Sequence, residues 1–577
     1  TVQLNTSGTV EYNIQKNGNP ILNNAPLGIN TSVADFSSGL SFLSKDTTSI
    51  DETYKMISGR KSVVANKANE MTLKFSKKGK NLNISFRTYN DGVAFRYTIP
   101  GEGNITVANE NSTFKIPAGT VGWAENFITS YEQTYPLRQL SNLEVSKLGM
   151  PLLMKLSKGQ FVMISEAAVN GTYCASHLKG LGTKTGALKT VYQDEEKKVK
   201  STVNSKLPLS TPWRVAAIGD TIATIVETSI FENLNPSSEI KDTSWIKPGR
   251  SSWTWWADIP ETLENNMKMV DFAAEMGWEY HLCDYGWSDK WMPQLVEYGK
   301  TKNIGIWVWS HQQDLNTDAK IAEKLPLWAS WGIKGIKVDF FESDKQEMIK
   351  LYDKLLVAAY QNKLMINFHG CTKPSGETRK WPHIMTREGV LGGEYYKFGY
   401  FNPKGPINPA EYDCILPFTR NVLGPMDYTP VIFSKLNGMT TYAHQVALPV
   451  VFESGVTNYP DTMDTYRACK AKEFLKACPA SWDDTKLIEG DPGKYITIAR
   501  KKGTSWFIGA ICGGKNSSRK AIIPLSFLGS GTYKAMIYRD GSKSDEIICE
   551  EKSVTKDTKL QIELAANGGC AIQLIKQ

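Results

Sequence analysis

The chain runs Gly332-Ile333-Lys334-Gly335-Ile336-Lys337-Val338-Asp339-Phe340 between two segments of helical spacing. Over 335–340 the side chains alternate, with Ile336, Val338 and Phe340 on one face and Lys337 and Asp339 on the other, which is the period of a strand. Upstream, 318–331 has helical spacing and is closed by Gly332, although Pro326 is expected to kink or break it. Downstream, 345–361 reads as a long amphipathic helix. The same rhythm extends towards the N-terminus as a strand over 304–310, a helix over 292–300, a strand over 278–284, a helix over 263–276 ending at Gly277, and a strand over 251–256. Towards the C-terminus, 364–369 and 383–387 read as strands, and 414–418 and 447–452 are further strand candidates. Eight strands in about 230 residues predict a (β/α)8 barrel. A doubly wound sheet is disfavoured, because no strand runs into a Gly-x-Gly-x-x-Gly turn and a helix.

The flanks lose the helical rhythm. Residues 1 to about 240 alternate in short runs such as 82–87 and 92–97, separated by turns at Asn17-Gly18 and Asn90-Asp91-Gly92. Beyond about 480, short alternating runs return at 495–499, 506–512, 520–524 and 533–538. The expected organisation is a multidomain α/β plus β protein. It has an N-terminal β-super-sandwich over 1–241, a central barrel over 242–478 and a small C-terminal all-β domain over 479–577. The length of 577 residues agrees, since a single core stops growing near ~300 residues.

Composition narrows the function classes. With 41% hydrophobic and 22% charged residues the chain is an ordinary globular one. It carries no apolar run of ~18 residues that would span a membrane as a helix. A net charge of +8 is mild for this size and gives no indication of nucleic-acid binding. The nine cysteines are widely spaced and form no zinc-type cluster, so most are expected to be buried thiols. Sixteen tryptophans, several beside carboxylates as in Trp253, Trp255, Trp256 and Asp258, fit either ordinary packing or a sugar site in which rings cover the apolar faces of a pyranose.

In a barrel the reactive groups lie where strands end. Those positions hold Asp258, Asp284, His311 with Gln312, Asp339, His369, Glu388 and Glu394. Carboxylates dominate, as glycosidic cleavage requires: one protonates the leaving oxygen and another attacks carbon or activates water. Asp339 stands out, because an inward Lys337–Asp339 pair is costly unless it is paired or used, and Asp339 is the last polar position of its strand. A purely structural ion pair is the alternative. Glu388 and Glu394 flank a loop with three glycines, so they either converge on a hard cation such as Ca²⁺ or remain two separate surface groups.

Several longer stretches carry a resemblance. The run from His369-Gly370-Cys371-Thr372-Lys373-Pro374 to Arg379, then Arg387-Glu388-Gly389 through Glu394, Pro417-Phe418-Thr419-Arg420, Gly424-Pro425-Met426-Asp427-Tyr428-Thr429-Pro430 and Pro479-Ala480-Ser481-Trp482 together resemble glycoside hydrolase family 97. The resemblance covers essentially the whole chain. It implies one of two calcium-dependent activities, an inverting α-glucosidase or a retaining α-galactosidase. Inverting members carry a Glu after the motif's His, where this chain has Gly370, and a Glu at the third strand end, where it has Gln312. The resemblance therefore implies the retaining branch, with Asp339 as nucleophile and Glu394 as acid/base. It further implies that Asp284 and Lys337 meet the sugar, and His311, His369 and Trp256 are the other candidates for contact with it. Glu388, Glu394 and an N-terminal-domain glutamate would hold Ca²⁺. Glu132 is the first choice for that glutamate and Glu166 the second.

The expected activity is exo-cleavage of terminal α-D-galactosides on an oligo- or polysaccharide. β-L-Arabinopyranosides share the ring configuration and lack only C6, so they are a substrate alternative. An inverting α-glucosidase and a non-catalytic carbohydrate-binding protein are the competing readings. The resemblance implies a periplasmic or secreted location; the start at Thr1-Val2-Gln3, without Met or an apolar leader, fits either a removed signal peptide or a trimmed sequence.

Overall fold

The structure, a computed structural model, describes residues 1–577 apart from 141–145, 183–185, 196, 198–200, 402–404, 406 and 515–516. In the N-terminal part, Val10–Lys16 and Asn19–Leu27 pair antiparallel across Asn17-Gly18, both of which take positive φ. Lys80–Tyr89 and Gly92–Ile99 pair across Asn90-Asp91 inside a ten-stranded sheet. Smaller antiparallel sheets face that sheet, and Tyr12, Phe86, Phe95 and Tyr97 fill the core between them.

The centre is a parallel sheet of seven strands. These are β1 (Gly249–Trp253), β2 (Tyr280–Cys283), β3 (Gly305–His311), β4 (Gly335–Asp339), β5 (Met365–Phe368), β6 (Ile384–Arg387) and β7 (Val456–Tyr459). Their order is β6-β5-β4-β3-β2-β1-β7. Between them run α1 (Leu263–Glu275), α2 (Met292–Thr301), α3 (Asp318–Trp331) and α4 (Gln346–Gln361). α3 continues through Pro326 and ends on Gly332, whose φ of 103° suits a residue without Cβ.

Two of the expected strands are not strands. Residues 414–418 follow α5 (Pro409–Asp413) and include the 3₁₀ turn Leu416–Phe418. Residues 447–452 fall largely within α6 (Tyr442–Val451). α6 is apolar on nearly every side because it is sandwiched between the barrel and the C-terminal sheet, so it carries no polar face to mark it as a helix. The strand that closes on β1 is β7 instead. The gap between β6 and β7 is bridged by an irregular segment. Met426 forms a parallel bridge with Arg387, and the Asp427 N–H donates to the Arg387 carbonyl at 2.8 Å.

The C-terminal part is a six-stranded antiparallel sheet, which includes Tyr495–Lys502, Ser505–Cys512 and Tyr533–Asp540, with a two-stranded sheet beside it. All nine cysteines are free and eight are buried. No helix among the described residues is long and apolar enough to cross a membrane.

Candidate active site

Parallel register brings the strand ends to one level. Trp309 pairs with Lys337 and His311 with Asp339 across β3 and β4. Beyond these ends opens a cavity of about 440 Å³, within the range of small-molecule sites. Asp284, His311, Lys337, Asp339, His369, Glu388, Glu394 and Glu132 all line it, as do Trp255, Tyr285, Trp309, Phe340, Glu342, Gly370 and Phe398.

The Asp339 carboxylate is held on both oxygens. Oδ1 accepts the Phe340 N–H at 2.7 Å and Oδ2 accepts the Trp309 indole N–H at 3.0 Å. Gly370 approaches it from β5. A Cβ built there would lie 3.1 Å from Asp339 Oδ1 and 2.9 Å from the Phe340 nitrogen, and the φ of 49° disfavours any side chain.

Lys337 is buried and joins two carboxylates. Its Nζ lies 3.3 Å from Asp284 Oδ2 and 3.6 Å from Glu394 Oε1. Burial alone would lower its pKa, but Asp284 and Glu394 outweigh that and hold it charged. Asp284 Oδ2 also accepts the Trp253 indole N–H at 2.7 Å. Burial pushes the Glu394 carboxyl up to about 7; Lys337 opposes the rise and Glu388 adds to it. Glu394 Oε1 is buried without a hydrogen-bond partner.

His369 lies between Glu388 Oε2, 3.2 Å from its Nδ1, and Asp427 Oδ2, 2.8 Å from its Nε2. Burial would make it neutral, but the two carboxylates outweigh burial and raise its pKa well above the usual histidine range. Burial, with Glu388 and Glu394 adding, pushes Glu132 up to about 8, although the Tyr395 hydroxyl donates to it.

Four expected residues lie elsewhere: Asp258 is exposed and paired with Lys397 at 2.6 Å, neither it nor Gln312 lines the cavity, and Trp256 and Glu166 are buried away from it. Trp256 is 1% exposed and does not line the cavity, because β1 stops at Trp253 and strand alternation ends with it. The neighbouring Trp255 lines the cavity instead, stacked on Trp253 at 5.5 Å. Glu166 is fully buried in the N-terminal sheet, where its oxygens are engaged by Arg214, Lys373 and Ser176, leaving none for a metal.

Three family descriptions match consecutive parts of the chain: the glycosyl-hydrolase 97 N-terminal region over 1–236, glycoside hydrolase 97 over 245–390, and the glycosyl-hydrolase 97 C-terminal, oligomerisation region over 481–575. A probable retaining α-galactosidase of Streptomyces bingchenggensis is 34% identical, over 98% of this chain and 89% of its own. The chain belongs to glycoside hydrolase family 97. A retaining α-galactosidase of Bacteroides thetaiotaomicron is 30% identical over 98% of this chain and 93% of its own. The crystal structure of a β-arabinopyranosidase superposes with a TM-score of 0.90 at 28% identity, covering 99% of this chain and 98% of that one.

For a family 97 glycoside hydrolase the donor set matters. One ligand atom each from Asp339, His369 and Glu388 lies within 4.8 Å of the others. Both ring nitrogens of His369 already face carboxylates, Nδ1 that of Glu388 and Nε2 that of Asp427. The carboxylates of Glu132, Glu388 and Glu394 fit a hard divalent cation better. They face one cavity, repel one another, and leave Glu394 Oε1 without a hydrogen bond.

Sequence reasoning missed Trp309, Tyr285, Phe340 and Phe398 at the cavity. Trp309 carried the same alternation signal as Lys337, since it shares a face of β3 with His311. Tyr285 and Phe398, 71% and 56% exposed, lie in loops where no periodicity points to them; Phe340 was expected on the helix-facing side with Ile336 and Val338, but β4 stops at Asp339 and a φ of 68° turns Phe340 out to the cavity, 47% exposed.

Proposed function

We propose that this family 97 enzyme is a retaining, exo-acting glycosidase of terminal α-D-galactosides, working through a covalent glycosyl–Asp339 intermediate. The observation that carries this reading is the close approach of Gly370 to Asp339. A water-activating carboxylate cannot be carried at position 370 on this backbone, whereas the carboxylate at 339 is held on both oxygens.

In the first step an Asp339 oxygen bonds to the anomeric carbon as the glycosidic bond breaks. The Glu394 proton passes to the departing oxygen. In the second step water attacks the anomeric carbon, Glu394 takes its proton, and the Asp339 ester bond breaks. Asp284 and Lys337 form the sugar-binding end, with His311, His369 and the ring of Trp255 around it. Glu132, Glu388 and Glu394 would hold Ca²⁺, which supplies positive charge beside the sugar hydroxyls and relieves the repulsion among the three carboxylates.

β-L-Arabinopyranosides are the second substrate reading, supported by the likeness to the β-arabinopyranosidase. The working compartment is proposed to be periplasmic or extracellular, on the family resemblance. Release of nitrophenol from the α-galactoside, the β-L-arabinopyranoside and the α-glucoside tests the assignment. Turnover of the α-galactoside is expected. Turnover of the α-glucoside alone would contradict the reading.

A further inference from the structure

Glu132 reaches the barrel mouth from a different domain, and a residue next to it explains how. Tyr131 is fully buried and takes a φ of 59°, which is uncommon for a residue with a side chain. Its hydroxyl donates to Asp344 Oδ2 at 2.5 Å, in the loop after β4. It also accepts from Lys373 Nζ at 3.1 Å, in the loop after β5. Lys373 is anchored in turn on two N-terminal sheets, through Glu166 Oε1 at 2.6 Å and the Ser176 carbonyl at 2.9 Å. Tyr131 is thus wedged between two loops of the barrel while its successor enters the cavity.

We propose that the Tyr131–Lys373–Asp344 clamp is a positioning device that presets Glu132 for the cation before the cation arrives. This rests on the reading of Glu132 as a calcium ligand. Glu132, Glu388 and Glu394 face one cavity, and whatever charge they share drives them apart in the metal-free protein. Tyr131 opposes that repulsion from outside the ligand set: its hydroxyl bonds fix the backbone at 131, which limits where Glu132 can move. Without the clamp, part of the binding free energy would be spent on ordering the segment, and the apparent affinity would fall. Tyr131, Asp344 and Lys373 do not line the cavity, so catalysis by the loaded enzyme should persist without the clamp.

The test uses the full chain, stripped with chelator, titrated with Ca²⁺ by calorimetry and with Tb³⁺ by luminescence. For Tyr131→Phe and Lys373→Met the Kd for Ca²⁺ is expected to rise at least ~10-fold, with kcat at saturating Ca²⁺ within ~2-fold of the parent. A merely structural role would lower thermal stability and leave that Kd unchanged, and this result would overturn the proposal. If the parent binds no Ca²⁺, the ligand reading itself fails and the clamp's role fails with it. Hydrogen exchange on the unmutated protein gives an independent arm. Amides around Tyr131 should stay protected after chelation, and their opening on metal removal would refute a preset site.

Discussion

The Cβ that Gly370 lacks would sit 3.1 Å from Oδ1 of Asp339. Any side chain at 370 and the Asp339 carboxylate therefore compete for one space. A glutamate at 370 has to displace the end of β4, and an aspartate at 339 in its present pose requires glycine at 370. Gly370→Ala is the smallest change that tests the contact. It adds a clash and a strained φ, and a displacement of about 1 Å at a reacting group costs ~10²-fold in rate. We expect kcat for an aryl α-galactoside to fall by about that factor with KM little changed, measured by steady-state kinetics.

Asp339→Ala should lose several orders of magnitude in kcat while keeping the fold by circular dichroism. Azide added to this variant should restore turnover of an activated substrate and give a glycosyl azide of inverted configuration, because azide occupies the face vacated by the carboxylate. Near-normal activity without azide would remove Asp339 from the chemistry.

Chelation should reduce activity and Ca²⁺ should restore it. Glu132→Gln should weaken that restoration, because a charged carboxylate donor becomes a neutral amide. The measurement is activity against free Ca²⁺ in buffered solutions, with metal content checked by atomic emission. Full activity in enzyme shown to be metal-free would rule out the calcium role.

Glu453 gives a pH-dependent stability prediction away from the cavity. It is buried, and Oε1 has no hydrogen-bond partner. Burial pushes its carboxyl up to about 7, against the pull of Arg60 and Arg500. A folded pKa above the unfolded value near ~4.3 means that the favourable contribution is complete at low pH and is lost as pH rises to about 7. Glu453→Gln removes that titration. The variant should gain on the parent by up to ~3 kcal/mol between pH 4.5 and pH 7.5, read from denaturant unfolding at both pH values. An equal difference at the two pH values would show that Glu453 ionises normally.

The barrel was legible where strand and helix have different faces. Lys337 and Asp339 against Ile336 and Val338 mark β4 from six residues alone, and Gly332 marks the end of α3. It was illegible where burial removes the contrast: α6 is apolar on nearly every side and reads as a strand, and residues 425–428 close the barrel with a single bridge and no period. At the site, carboxylates at strand ends could be found by counting. Trp256 could not be told from Trp255, because the choice depends on where β1 stops. Glu166 could not be separated from Glu132 by type alone; only the fold shows that Arg214 and Lys373 already occupy it.

The central claim is that Asp339 attacks the sugar directly and that net configuration is retained. Proton NMR of the first turnovers of an α-galactoside, recorded faster than the sugar mutarotates, tests this most directly. The account predicts that the α-anomer of galactose appears first and the β-anomer follows by mutarotation. If the β-anomer appears first, a water has attacked in a single displacement, and the assignment of Asp339 as nucleophile is wrong.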